Sequence, residues 1–235
     1  MTSDGLQNLV KMIEKLTIAR EPFACYTGRG VKVGIIDSGV NPAHPHVGGV
    51  AGGTRITSGE SDSTNDYLDY IGHGTAVAGA IREKAPEGLL YAVKVFDRAL
   101  TTNIETIIKA IDWCIENEIE VINLSLGTVN VEHREKIEAA VARAAEEGTV
   151  LVAAREMSGQ PSLPGCLRAV IAVAVDWNCP RDTYRVAGRA DERNLNGISF
   201  AVANMTGFVT RAREFAPTAQ VDRLKQLLVA GSTKE

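Results

Sequence analysis

Five runs of aliphatic, largely β-branched residues recur along the chain: VKVGIID (31–37), LLYAVKVF (89–96), EVINLSLG (120–127), TVLVAA (149–154) and AVIAVAV (169–175). Each is predominantly apolar instead of alternating with polar residues, so both of its faces must be covered. Between and around them lie stretches of helical period. Residues 6–19 space Leu6, Leu9, Val10, Ile13 and Leu16 along one face, and 103–117 do the same with Ile104, Ile107, Ile108 and Ile111. Residues 73–84, 133–147, 199–213 and 218–230 also read as helices, the second of these stopping at Gly148 as helices commonly do. Apolar strands alternating with helices predict a single-domain, three-layer α/β fold, a mainly parallel central sheet flanked by helices. In such folds chemistry gathers at the carboxyl ends of the strands. The residues that break the apolar pattern at those ends are Asp37, Ser125 and Arg155.

The remaining bulk properties narrow the class. The chain has 235 residues and a formal net charge of -4, with its basic residues dispersed. No basic block suggests nucleic acid, and no apolar run is long enough to cross a bilayer, so neither a nucleic-acid nor a membrane partner is expected. The four cysteines, Cys25, Cys114, Cys166 and Cys179, form no C-x-x-C pair, which argues against a zinc site. They read as reduced thiols in a cytoplasm, with a Cys166–Cys179 bridge as the alternative. No cofactor or metal is expected. His44 and His46 read as a solvated loop, and His133 as a surface residue on a charged helix.

Three segments carry reactive groups at the edges of rigid elements: GIIDSGV with Asp37, GHGTAVAGAI with His73, and NGISFAVANMTG with Ser199. Taken singly, each has a plain structural role, Asp37 in a turn, His73 at a helix start and Ser199 as an N-cap. Together they are the parts of nucleophilic acyl transfer. A serine hydroxyl needs an imidazole to take its proton, and the imidazole needs a carboxylate to hold its tautomer and balance its charge.

The chain from residue 31 onward resembles the subtilisin-like serine proteases. GIIDSGVNPAHP is similar to the family's aspartate segment, HGTAVAGAI to its histidine helix, VINLSLG to its substrate-binding strand, and GISFA to its G-T-S-x-A. The resemblance implies a subtilisin-like peptidase domain over residues 31–235; the helical spacing before it leads us to expect residues 1–30 as a helical extension packed on the domain. The resemblance assigns Asp37, His73 and Ser199 as orienter, general base and nucleophile, and Ser125, Leu126, Gly127, Ala154 and Glu156 to the substrate groove. Where the family has the oxyanion-binding asparagine, this chain has Arg155, whose guanidinium offers five donors on a long stem. Ala154 replaces the family's glycine and adds a methyl near the expected P1 floor, a hint of a small P1 side chain. His46 stands where a calcium-binding aspartate is usual, and IREKAPEGLLYAV passes from helix to strand without the family's inserted loop, so no calcium is expected at that place. Residues 176–197 read as a charged loop bordering the cleft.

The expectation is a selective intracellular endopeptidase that forms an acyl-enzyme and acts on a peptide or protein substrate, for example by removing a leader from a precursor. The alternative is a catalytically impaired protein of the same fold that binds peptides or partners.

Overall fold

A computed structural model describes residues 22–57, 66–186 and 197–232. The predicted helix at 6–19, and with it most of the predicted N-terminal extension, lies outside the described residues.

A six-stranded sheet runs through the centre in the order β2-β3-β1-β4-β5-β8, with every neighbouring pair parallel. Its strands are β1 (Lys32–Asp37), β2 (Gly52–Arg55), β3 (Leu89–Lys94), β4 (Val121–Leu124), β5 (Val150–Ala154) and β8 (Ile171–Val173). Five of these fall inside the apolar runs. The sixth, β2, was not anticipated: GGTR carries no apolar signal and is an edge strand held by backbone pairing to β3. A second surprise is the short hairpin of β6 (Glu156–Met157) and β7 (Gln160–Pro161). Its turn residues Ser158 and Gly159 both have positive φ, 52° and 77°, as a two-residue hairpin turn needs.

The helices are α1 (His73–Lys84), α2 (Ile104–Glu116), α3 (Arg134–Glu146), α4 (Ile198–Phe215) and α5 (Val221–Gly231). A 3-10 turn at Val131–His133 precedes α3, so His133 ends that turn and stands before the helix proper, half-buried beside the Asn130 side chain. Alternate residues of each strand feed opposite cores. Val33, Ile35, Val121, Val150 and Val152 pack with α1, α4 and α5. Ile36, Ile122, Leu124, Leu151 and Ala153 pack with α2 and α3. This is the three-layer architecture that the continuous apolar strands require.

Both helices that carry reactive residues run antiparallel to the strands. At the amino edge of the sheet, the Thr27, Gly28 and Arg29 N–H groups donate to the Glu214 carboxylate near the end of α4. The Glu87 N–H, just beyond α1, donates to the Thr27 carbonyl at the same edge. The starts of α1 and α4 therefore meet the carboxyl edge. The two helices also pack on each other. Gly207 lies against Lys84 and the Ile81 carbonyl, close enough that a side chain on Gly207 would collide. Eight residues back from Ile81 along α1 is His73, and eight back from Gly207 along α4 is Ser199. At about 1.5 Å per residue both lie about 12 Å from that contact, in the same direction.

Candidate active site

Asp37 is the last residue of β1 and is buried. Its Oδ1 lies 2.7 Å from His73 Nδ1. The same oxygen accepts from the Ser38 N–H at 2.7 Å, which fixes the carboxylate relative to its own backbone. With Nδ1 donating to Asp37, Nε2 is left to accept a proton. His73 is the first residue of α1 and comes this close because the next residue is glycine. A Cβ on Gly74 would overlap the Gly39 carbonyl and approach the Asp37 Cβ to 3.2 Å. That explains why a histidine between two glycines opens the helix.

Hydrogen bonding to Asp37 holds the His73 imidazolium above its ordinary value of 6.5; burial opposes this, and the charges of Asp37 and Asp69 add to it. Two consequences of opposite sign follow. A raised folded-state value stabilises the fold fully below the unfolded value and ceases to do so as pH rises through the folded one. A general base works only when neutral, so kcat/KM should rise as pH climbs through the same value, and its acid limb should have a midpoint above 6.5. A pH–rate profile checks this; a midpoint at or below 6.5 would contradict it.

Ser199 sits in the first turn of α4, half-buried, after Gly197 with φ 109°. The helix start directs free backbone N–H groups toward the rim, a place for developing negative charge. The structure brings Ser199 to the level of His73, but no hydrogen bond joins the two among the described residues. Such contacts commonly tighten only with substrate bound.

Ser125 follows β4 and is buried, and its Oγ accepts from Asn123 Nδ2 at 2.9 Å. Asn123 Oδ1 in turn accepts from Thr206 Oγ1 of α4 at 2.9 Å. Sequence reasoning missed this bridge between the predicted substrate strand and the helix that carries Ser199. Its one visible signal was an asparagine inside an aliphatic strand. Leu126 and Gly127 are partly exposed, and Gly127 abuts Ser162 so closely that no side chain would fit there. Ala154 is buried, its methyl within the core shared with α4. Gly165 lies against its carbonyl where a Cβ would overlap.

Arg155 leaves the sheet edge with its N–H donating to the Val173 carbonyl at 2.8 Å and its own carbonyl accepting from Ser162 N–H at 2.9 Å. Its side chain is exposed and makes no hydrogen bond or ion pair among the described residues, and the neighbouring Glu156 is exposed too.

A cleft of about 810 Å³ opens beside the pair, along α1 and the start of α4. Gly72, Thr75 and Ala76 at the start of α1 and Phe200 and Asn204 of α4 are among the residues that line it. His44, His46 and Arg181 also line it. His44 and His46 are exposed, as expected, and their rings meet edge-on at 5.5 Å. All four cysteines are free thiols, with Cys114 and Cys179 buried.

Residues 28–175 match the Subtilase family (Peptidase_S8). Subtilisin DY of Bacillus licheniformis is 32% identical over 241 aligned residues, 88% of this chain and 85% of that protein. The chain belongs to the subtilase family. The minor extracellular protease Epr of Bacillus subtilis (strain 168) is 34% identical over 185 residues, 74% of this subtilase and 27% of Epr. The subtilase chain thus spans about a quarter of Epr, and about half of several other curated relatives. The crystal structure of a cold adapted subtilisin-like serine proteinase superposes with a TM-score of 0.69 at 21% identity, covering 87% of this chain and 83% of that one. That likeness bears out the subtilisin-like α/β fold. The family match includes the Asp37 and His73 segments of this subtilase and ends before Ser199.

Proposed function

We propose that this chain is a serine endopeptidase in which Ser199 is the nucleophile, His73 the general base and Asp37 the residue that orients it. The observation that supports this most is the 2.7 Å contact of Asp37 Oδ1 with His73 Nδ1, made beside the start of the helix that carries Ser199. Nε2 of His73 takes the Ser199 proton as Oγ attacks a peptide carbonyl, and Asp37 balances the imidazolium so formed. The tetrahedral oxyanion is held by the Ser199 N–H at the α4 terminus and by the Arg155 guanidinium. His73 then returns the proton to the leaving amine, and water repeats the sequence to free the acyl group. Substrate lies extended along Ser125–Leu126–Gly127, with Ala154 and Glu156 beside it.

A selective processing role in a reducing compartment is consistent with four free thiols. The second reading, a binding protein of the same fold, takes its support from position 155, where an exposed arginine without a hydrogen bond or ion pair among the described residues replaces the family's asparagine. A fluorophosphonate probe separates them. The enzyme is labelled in wild type and not in Ser199→Ala; a wild type that stays unlabelled favours the binding protein. Arg155→Ala is expected to lower kcat/KM about tenfold or more, roughly 1.4 kcal/mol of transition-state stabilisation. An unchanged kcat/KM would remove Arg155 from the oxyanion site.

A further inference from the structure

Asp69 has no role in the acyl-transfer scheme, yet its half-buried carboxylate collects five hydrogen bonds. Oδ1 accepts from Ser38 Oγ at 2.9 Å, Ile71 N–H at 2.9 Å and Gly72 N–H at 2.8 Å. Oδ2 accepts from Thr75 N–H at 2.9 Å and Thr75 Oγ1 at 2.6 Å. The helix α1 needs this. Its N-cap residue is Gly72, which has no side chain to satisfy the orphan N–H groups of the first turn. Asp69 replaces the missing cap from outside, taking the N–H of the cap residue and of Thr75. Ser38 Oγ takes the N–H of Gly74 at 2.9 Å while donating to Asp69. His73 is thus flanked on both sides by residues bound to one carboxylate system, and Ser38 is the neighbour of Asp37.

The loop that presents Asp69 is itself tied to the sheet. Lys94, buried at the end of β3 in register with Asp37, donates Nζ to the Leu68 carbonyl at 2.8 Å and stands 4.1 Å from the Tyr70 ring centre. Val40 N–H donates to the Tyr67 carbonyl at 2.9 Å.

We infer that Asp69 is a positioning residue for the reaction, holding the first turn of α1 so that the His73 ring meets Asp37 and Ser199, and supplying a second negative charge near the imidazolium. The inference rests on the proposed roles of His73 and Ser199. Burial pushes the Asp69 carboxyl up, but the hydrogen bonds from Thr75, Gly72 and Ile71 outweigh it and hold the group below its usual range, so it stays charged when His73 is protonated. The charged groups bearing on His73 are Asp37 from β1 and Asp69 from the preceding loop. The facing turns of α4 present Ser199, Phe200 and Asn204 and no charge; His44, His46, Arg82, Glu83 and Arg181 line the cleft nearby.

The test uses Asp69→Asn, which keeps the shape but removes the charge and turns one acceptor into a donor. Histidine NMR titration in a Ser199→Ala background reads His73 without needing turnover, its signal assigned by loss in His73→Ala. The expected result is a His73 midpoint moved to lower pH in Asp69→Asn, and, in the enzyme with Ser199 intact, a kcat/KM about tenfold or more below wild type. A folded Asp69→Asn whose midpoint does not move overturns the inference, whether or not the protein proves to be a protease. Should Asp69→Asn not fold, Ser38→Ala breaks the link to Gly74 while leaving both carboxylates. It should lower kcat/KM severalfold with the midpoint retained, and unaltered kinetics would equally overturn the inference.

Discussion

Ser199→Ala and His73→Ala are each expected to lower kcat by about 10⁶, close to 8 kcal/mol, the scale known for triad knock-outs in subtilisin. The double variant should be no worse than either single one, because the two groups act as one device: without the base the hydroxyl is not activated, and without the hydroxyl the base has nothing to activate. Asp37→Asn should lose about 10⁴, since an amide would favour the wrong imidazole tautomer at the 2.7 Å contact while leaving its geometry nearly intact. Single-turnover assays on one peptide substrate check all four. Additive losses, or a Ser199→Ala variant within tenfold of wild type, would remove Ser199 from the chemistry.

The second large effect belongs to Gly74→Ala. The added methyl would overlap the Gly39 carbonyl and crowd Asp37, and both are backbone-anchored, so the helix must move instead. Overpacking of this kind should lower stability by about 3 kcal/mol. For a chain of this size that is a fall in Tm of roughly 6–12 °C. Because α1 would shift away from β1, kcat/KM should drop about 10²-fold even where the fold survives, as an ångström of misplacement does. Thermal unfolding and kcat/KM measured together test the account, and a variant with unchanged Tm would sink it.

The layered architecture was legible because a parallel sheet buried on both faces leaves an unambiguous apolar signature, and β1, β3, β4, β5 and β8 all carry it. β2 was invisible for the converse reason: its pairing is carried by backbone alone, and Gly52 and Gly53 have no side chains to advertise it. A Cβ on Gly53 would overlap the Ala92 carbonyl and sit 2.8 Å from the Tyr67 ring, so the glycine reflects close approach to the neighbouring strand and loop. At the candidate site, Asp37, His73 and Ser199 are proposed from their flanks, whereas Asp69 has no such signal. DYLDYIG looks like an ordinary polar loop, and its aspartate gains meaning only when Ser38, Gly72 and Thr75 converge on it. Asn123 and Thr206 were hidden in the same way, being 83 positions apart in the chain and joined only by folding. Arg155 was visible as an anomaly, a charged residue directly after an apolar strand, and it stands exposed there.

Gly207 acts as a notch in which α1 is seated. Since His73 and Ser199 are each eight residues from that seat, the spacing between them is gauged from a point about 12 Å away, between the two helices. A methyl group placed at mid-helix is therefore expected to respace His73 and Ser199 without any change at the rim.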